Sequence, residues 1–163
     1  MRQPADNHAT SHPPGQGGRR VYFAAAITNP ARDLLALQGM VQHLQARGHQ
    51  VPTHHIVEPD PRTRDAALSE AELAQRDLAW LASCEALVAE VTTPSHGVGV
   101  EVAWALHRHL PVLVLYRTGT RVSRLLLGLP GVRACAYGNM ADATRAIDEF
   151  LASLPTTPQG AVS

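Results

Sequence analysis

Along residues 21–154, short apolar runs alternate with longer stretches whose apolar positions recur every three or four residues. Val21 to Ile27 is an apolar run long enough for a strand buried on both faces. Asn29-Pro30 then opens a helical stretch to about Arg47, with Leu34, Leu37, Val41 and Leu44 on one face and Gly48 where a helix terminates. His49 to His55 reads as a second, weaker strand, and the prolines of Glu58 to Arg64 read as a loop. A helix follows from about Ser69 to Ser83, opened by the capping-box pattern Ser69-Glu-Ala-Glu72. Ala86 to Val91 is a third strand, Thr92 to Gly97 a loop, Val98 to His109 a third helix, and Pro111 to Tyr116 a fourth strand. A short helix near Ser123, a fifth strand over Val132 to Tyr137 and a last helix from about Ala141 to Leu154 complete the series.

Strands alternating with helices predict βαβ units and a mostly parallel α/β sheet. Five strands suit a flavodoxin-like, Rossmann-like sheet in the order 2-1-3-4-5, flanked by helices. Ligands of such sheets bind outside the carboxyl ends of the strands, at the switch between the first and third. Here those ends are Ala25 to Thr28, Thr53 to His55 and Val91 to Gly97. Residues 1–20 lack periodicity and are rich in Pro, Gly and His, which predicts a flexible arm; residues 155–163 read as a flexible tail. One domain over 21–154 remains.

Composition narrows the class. Fourteen Lys+Arg balance fourteen Asp+Glu, so no surplus of cations points to a nucleic-acid polymer. Hydrophobic residues are 45% of the chain, enough for a core, but no apolar run reaches the roughly 20 residues that span a bilayer. The N-terminal stretch has no apolar segment of a secretory signal, and the expected location is cytoplasmic. Cys84 and Cys135 are too few and too far apart for a disulfide framework or a thiolate zinc site. His54, His55 and His96 fall near one sheet edge, but without ligand spacing; a polar contact is the expected role and no metal or other cofactor is implied.

Two carboxylates look out of place. The third helix begins Val-Gly-Val-Glu-Val-Ala-Trp-Ala-Leu, apolar almost all round, and its one charge is Glu101. A buried carboxylate needs partners or takes up a proton, so a satisfied structural glutamate is the alternative to a reactive one. Asp77 falls inside the apolar stripe of Leu73, Trp80, Leu81 and Cys84, either as half of an ion pair with Arg76 or Arg64 or as a second reactive acid. Two carboxylates in unlike environments are what glycosyl transfer uses. The loop Pro94-Ser-His-Gly-Val-Gly99 offers the Ser95 hydroxyl, two glycines over which a ligand can approach, and a helix N-terminus that favours an anion.

The runs Val21 to Ile27, Arg76 to Leu81, Val88 to Glu101 and Arg121-Val-Ser123 together resemble the 2′-deoxynucleoside 5′-monophosphate N-glycosidases of the nucleoside 2-deoxyribosyltransferase superfamily. The stretch from Ala89 to Glu101 is the most specific part. The resemblance implies hydrolysis of a deoxynucleoside 5′-monophosphate to free base and 2-deoxyribose 5-phosphate. It places the catalytic nucleophile on Glu101, a supporting aspartate on Asp77, and a tyrosine near the sugar on Tyr22. Ser95, Gly97 and Gly99 match the phosphate loop, and His55 a substrate-binding histidine. Ser123 matches, across a one-residue gap, a serine that reaches the phosphate from a neighbouring subunit, which implies a homodimer with a composite site. Ala25-Ala-Ile-Thr28 stands where the family commonly has Gly-Ser-Ile-Arg, so Ala25, Ile27 and Thr28 would shape the base side differently. Other readings are a base-exchanging nucleoside 2-deoxyribosyltransferase and a nucleotide-binding module without turnover.

Overall fold

The computed structural model describes residues 18–155, so most of the expected arm and tail lies outside the described residues. Four parallel strands form one sheet in the order β1 (Val21–Ala25), β2 (Ala86–Glu90), β3 (Val112–Arg117), β4 (Val132–Tyr137). The helices are α1 (Leu34–Ala46), α2 (Pro61–Asp65), α3 (Glu70–Ala82), α4 (His96–His107), α5 (Arg124–Leu127) and α6 (Met140–Ala152).

β1 and β2 are buried at every residue, as continuous apolar runs between two helical layers require. Alternate side chains feed two cores. Val21, Phe23, Val88 and Leu113 pack against α1 and α6, through Leu37, Met40, Ile147 and Phe150 among others. Tyr22, Leu87, Ala89 and Val114 face the opposite way, towards Leu81 of α3 and Val98, Val102 and Ala105 of α4.

The expected five-stranded order 2-1-3-4-5 is corrected to four strands. The segment anticipated as strand two does run beside β1, but only Gln50 pairs, bridging Arg20. Pro52 has no N–H to donate to a ladder. Three residues past the bridge a side chain replaces the strand. The Thr53 hydroxyl donates to the Phe23 carbonyl at 2.7 Å and accepts from the Phe23 amide at 3.1 Å. With both groups satisfied, the chain turns into a 3₁₀ helix over His54–Val57. A strand at this position would carry His55 past the sheet; the turn instead buries it beside β1's carboxyl end.

Other boundaries move less. α1 begins at Leu34, capped by Asp33, rather than at Asn29-Pro30. Part of the proline-rich loop forms α2, with Pro61 in its first turn. The capping box at Ser69 and Glu72 is formed by both bonds. Gly48 has φ +84°, the left-handed conformation that ends α1. α4 starts at His96, so Gly97 and Gly99 lie inside its first turn rather than before it. That helix is buried only through Val98, Val102 and Ala105; Val100 is 62% exposed, contrary to the expectation of burial all round.

Candidate active site

A cavity of about 790 Å³ opens at the carboxyl ends of β1 and β2. Four segments wall it: Ala25 to Pro30 after β1, Thr53 to Ile56, one face of α2 and α3, and Pro94 to Glu101 at the start of α4.

Glu101 sits one turn into α4 and points back under β1. The Tyr22 hydroxyl donates to its Oε1 at 2.6 Å. Tyr22 is itself buried on the second strand position, so the bond is held by the sheet rather than by a mobile side chain. Burial pushes the Glu101 carboxyl up to about 7; the Tyr22 hydrogen bond pulls it down, and the nearby Asp77 charge pushes it up again. Tyr22 in turn is driven far above the ordinary phenol range, first by burial and then by the Glu101 charge, so it stays a hydrogen-bond donor. A carboxyl poised near neutrality beside a cavity is available both as an anion and as an acid.

Asp77 lines the same cavity from α3 and pairs with Arg76, which also reaches Asp65. Asp77 is thus ion-paired with Arg76, one of the two partners expected for it, and it also faces the cavity that holds Glu101. His55 is 2% exposed and lines the wall between them. Its ring packs edge-on to Trp80 with centroids 5.5 Å apart, and its buried Nδ1 has no hydrogen-bond partner. Burial lowers its pKa from the usual 6.5, leaving the ring neutral at pH 7. A neutral buried imidazole with an unmet nitrogen is a polar contact waiting for a ligand.

The opposite end of the cavity is the start of α4. Ser95 caps that helix, its hydroxyl accepting from the Val98 amide at 3.5 Å. A side chain at Gly97 would meet only that hydroxyl, at 3.8 Å, and one at Gly99 would meet nothing within 4 Å. Gly97 keeps space open at this helix N-terminus, which suits an anion, whereas the Gly99 amide is already bonded to the Ser95 carbonyl at 3.3 Å. Ala25, Ile27 and Thr28 all line the cavity on the β1 side.

Ser123 and Gly99, both singled out above, do not line this cavity. Ser123 caps α5 and, with Gly99, Arg121, Val122 and Leu125, lines a separate groove of about 350 Å³. Within one chain that groove meets the Glu101 cavity only through Pro94, Ser95 and Val98, which line both. Among the described residues no cluster of three or more His, Cys, Asp or Glu suited to a metal occurs. Asp65, Arg76, Thr53 and Trp80 belong to the site or its frame without having been singled out for it. Arg76 had a signal as one candidate ion-pair partner of Asp77, Thr53 as part of an expected ligand-binding strand end, and Trp80 as part of the apolar stripe around Asp77; Asp65 had none.

Comparison with known proteins gives one consistent answer. A Methanosarcina barkeri protein, provisionally named 2′-deoxynucleoside 5′-phosphate N-hydrolase 1, is 33% identical over 137 residues, 83% of this chain and 86% of its own. The mouse 5-hydroxymethyl-dUMP N-hydrolase is 37% identical over 112 residues, 66% of this chain and 64% of its own. Among solved structures, a Clostridium botulinum CMP N-glycosidase superposes with a TM-score of 0.61 at 18% identity, covering 81% of this chain and 99% of that one. At that identity the likeness speaks for the fold alone. The nucleoside 2-deoxyribosyltransferase model matches residues 21–148, and the chain belongs to that family.

Proposed function

We propose that this protein hydrolyses the N-glycosidic bond of nucleoside 5′-monophosphates, 2′-deoxy forms foremost, to free base and sugar 5-phosphate. The observation that carries the reading is one cavity with two carboxylates and a helix N-terminus. Glu101, held by Tyr22, shares it with Asp77, and Ser95 and Gly97 at the start of α4 line the end suited to an anion. The names of the relatives point the same way: the archaeal and mouse proteins are named as N-hydrolases of nucleotides.

In this reading the phosphate sits at the start of α4, which brings the sugar over Glu101. The Glu101 carboxylate attacks the anomeric carbon while the carbon–nitrogen bond breaks, its electron pair leaving with the base. Asp77 guides the proton that the departing base takes up. Water then attacks the glycosyl ester, giving sugar phosphate and restoring Glu101. Tyr22 holds the nucleophile in line for both steps.

The groove beside Ser123 suits a second copy of the chain. It is lined mostly by apolar side chains, among them Leu125, which is 78% exposed. Its continuity with the cavity through Ser95 would let a partner complete the phosphate site, as a homodimer with composite sites requires. Sedimentation that reports only a monomer at assay concentration would remove this part of the reading.

The test of function is release of free base from a panel of ribo- and deoxynucleoside monophosphates and their nucleosides, with and without an added acceptor base. Two charge-assisted hydrogen bonds to phosphate, each worth roughly 1.5–3 kcal/mol, favour the monophosphate by about a hundredfold or more in kcat/KM. Ser95→Ala should narrow that gap. Equal cleavage of nucleoside and nucleotide, or transfer to the acceptor base as fast as to water, would make the protein a transferase instead.

A further inference from the structure

Arg76 precedes Asp77 on α3, and adjacent positions on a helix do not normally face each other. Here they meet all the same. Arg76 donates to Asp77 Oδ1 from Nε at 3.0 Å and from Nη2 at 2.9 Å, and Nη1 donates to Asp65 Oδ1. The guanidinium carbon lies 4.5 Å from the Trp80 ring centroid. Two carboxylates and an aromatic face therefore fix the plane of one guanidinium, whose side chain is only 22% exposed. An exposed pair of neighbours would contribute little; this one is framed on three sides and lines the Glu101 cavity.

The hydrogen bonds are also one-sided. Both Arg76 donors that reach Asp77 go to Oδ1, and among the described residues no hydrogen bond is made to Oδ2. The two oxygens of the aspartate are not equivalent, and the carboxylate plane is set by its neighbour rather than by its own rotamer. Only a planar fork can do this: a lysine ammonium is a single point of charge and cannot span Asp77 and Asp65 while stacking on Trp80.

We propose that Arg76 is the positioning residue for Asp77. By engaging Oδ1 it presents Oδ2 to the nucleobase, while Asp65 and Trp80 hold the guanidinium in place. The inference rests on the N-glycosidase reading of the site, and its test separates the two.

The experiment is a double-mutant cycle on base release from a deoxynucleoside monophosphate, using Arg76→Lys, Arg76→Gln, Asp77→Asn and the Arg76→Gln/Asp77→Asn pair. Misplacement of a proton-handling group lowers kcat by about tenfold to a hundredfold. Arg76→Lys, which keeps the charge and the fold, should show that loss with KM for the monophosphate changed less than about threefold. Once Asp77 is an asparagine, removing Arg76 should lower kcat no further. Losses that multiply in the double variant, or an unchanged kcat in Arg76→Lys, would reduce Arg76 to a structural ion pair and overturn the proposal in an active enzyme. Absence of base release from the wild type with any nucleotide overturns the reading of the site, and the role of Arg76 falls with it.

Discussion

Two glutamates stand at the carboxyl edge of the same sheet, one on each face, and each receives a hydrogen bond from a buried tyrosine. Tyr22 donates to Glu101 at 2.6 Å, and Tyr137 to Glu90 at 2.9 Å. Burial is the largest cause of a raised pKa in both. Their surroundings then part company. Glu90 Oε1 accepts also from the Thr92 hydroxyl and, at 3.3 Å, from the Thr92 amide, and the nearby Arg117 charge favours its ionised form. Glu101 accepts from Tyr22 alone among the described residues, and its charged neighbour is another carboxylate, Asp77. Glu90 borders a cavity of about 260 Å³; Glu101 borders one of about 790 Å³. Burial and a tyrosine partner are common to both and cannot mark a reactive group. Unmet hydrogen-bonding capacity, a like charge and room for a substrate do.

The sharpest way to break this contrast is to neutralise each glutamate in turn. Glu101→Gln keeps the shape and removes the carboxylate that the proposed mechanism uses for attack, so kcat for base release should fall by about a thousandfold or more. Glu90→Gln leaves the cavity of Glu101 untouched and should change kcat by less than about tenfold. Its effect belongs to folding: an amide nitrogen placed among donors costs about 1–3 kcal/mol of stability. Comparable kinetic losses in the two variants would put Glu90 in the chemistry.

Stability should move the other way at Glu101. Its carboxyl titrates near 7 in the folded chain against about 4.5 as the reference for the unfolded one, so the folded state favours the protonated form. Its contribution to stability is complete below about pH 4.5 and is lost as pH rises to about 7, a change of about 3 kcal/mol at most. The glutamine variant does not titrate. It should therefore be more stable than the wild type by about 2–3 kcal/mol at pH 8, with the difference disappearing near pH 4. Urea denaturation at the two pH values measures this; a glutamine variant no more stable at pH 8 would mean that the carboxylate is better solvated than its burial indicates.

How much of this could be read beforehand differs between strand, site and pair. Three of the four strands that form are near-continuous apolar runs, while β4 is interrupted by Arg133; Glu90 hides inside one of the three as the only charge in Ala86 to Val91, a signal of the same kind as Glu101 in its helix. The strand that fails was weak in pattern, and what replaces it is a single hydroxyl. Thr53 satisfies both backbone groups of Phe23, which no periodicity reports. Glu101 and Asp77 were legible because each is a charge on an apolar face. The meeting of Arg76 with Asp65 was not, since it depends on how the proline-rich segment folds back as α2. Ser123 lies outside the Glu101 cavity, in the neighbouring groove, and its expected place at the phosphate depended on a second subunit that one chain's sequence cannot position.

The finest test of the contrast uses the neighbours of Glu101 rather than Glu101 itself. If its ionisation gates attack, kcat/KM should rise with pH to a plateau above about 7, with the limb set by the free enzyme. The second phosphate ionisation near 6 contributes to the same limb, but identically in every variant. Tyr22 lowers the Glu101 pKa through its hydrogen bond, and Asp77 raises it through its charge. Tyr22→Phe should thus move the midpoint to higher pH and Asp77→Asn to lower pH, whatever each does to the height of the plateau. Near pH 7 a movement of half a unit changes the ionised fraction about twofold, enough to resolve in a full profile. Tyr137→Phe, which touches only the Glu90 side, should leave the midpoint where it is. Shifts of the same sign in the Tyr22 and Asp77 variants, or an equal shift in the Tyr137 variant, would show that the limb reports a group other than Glu101.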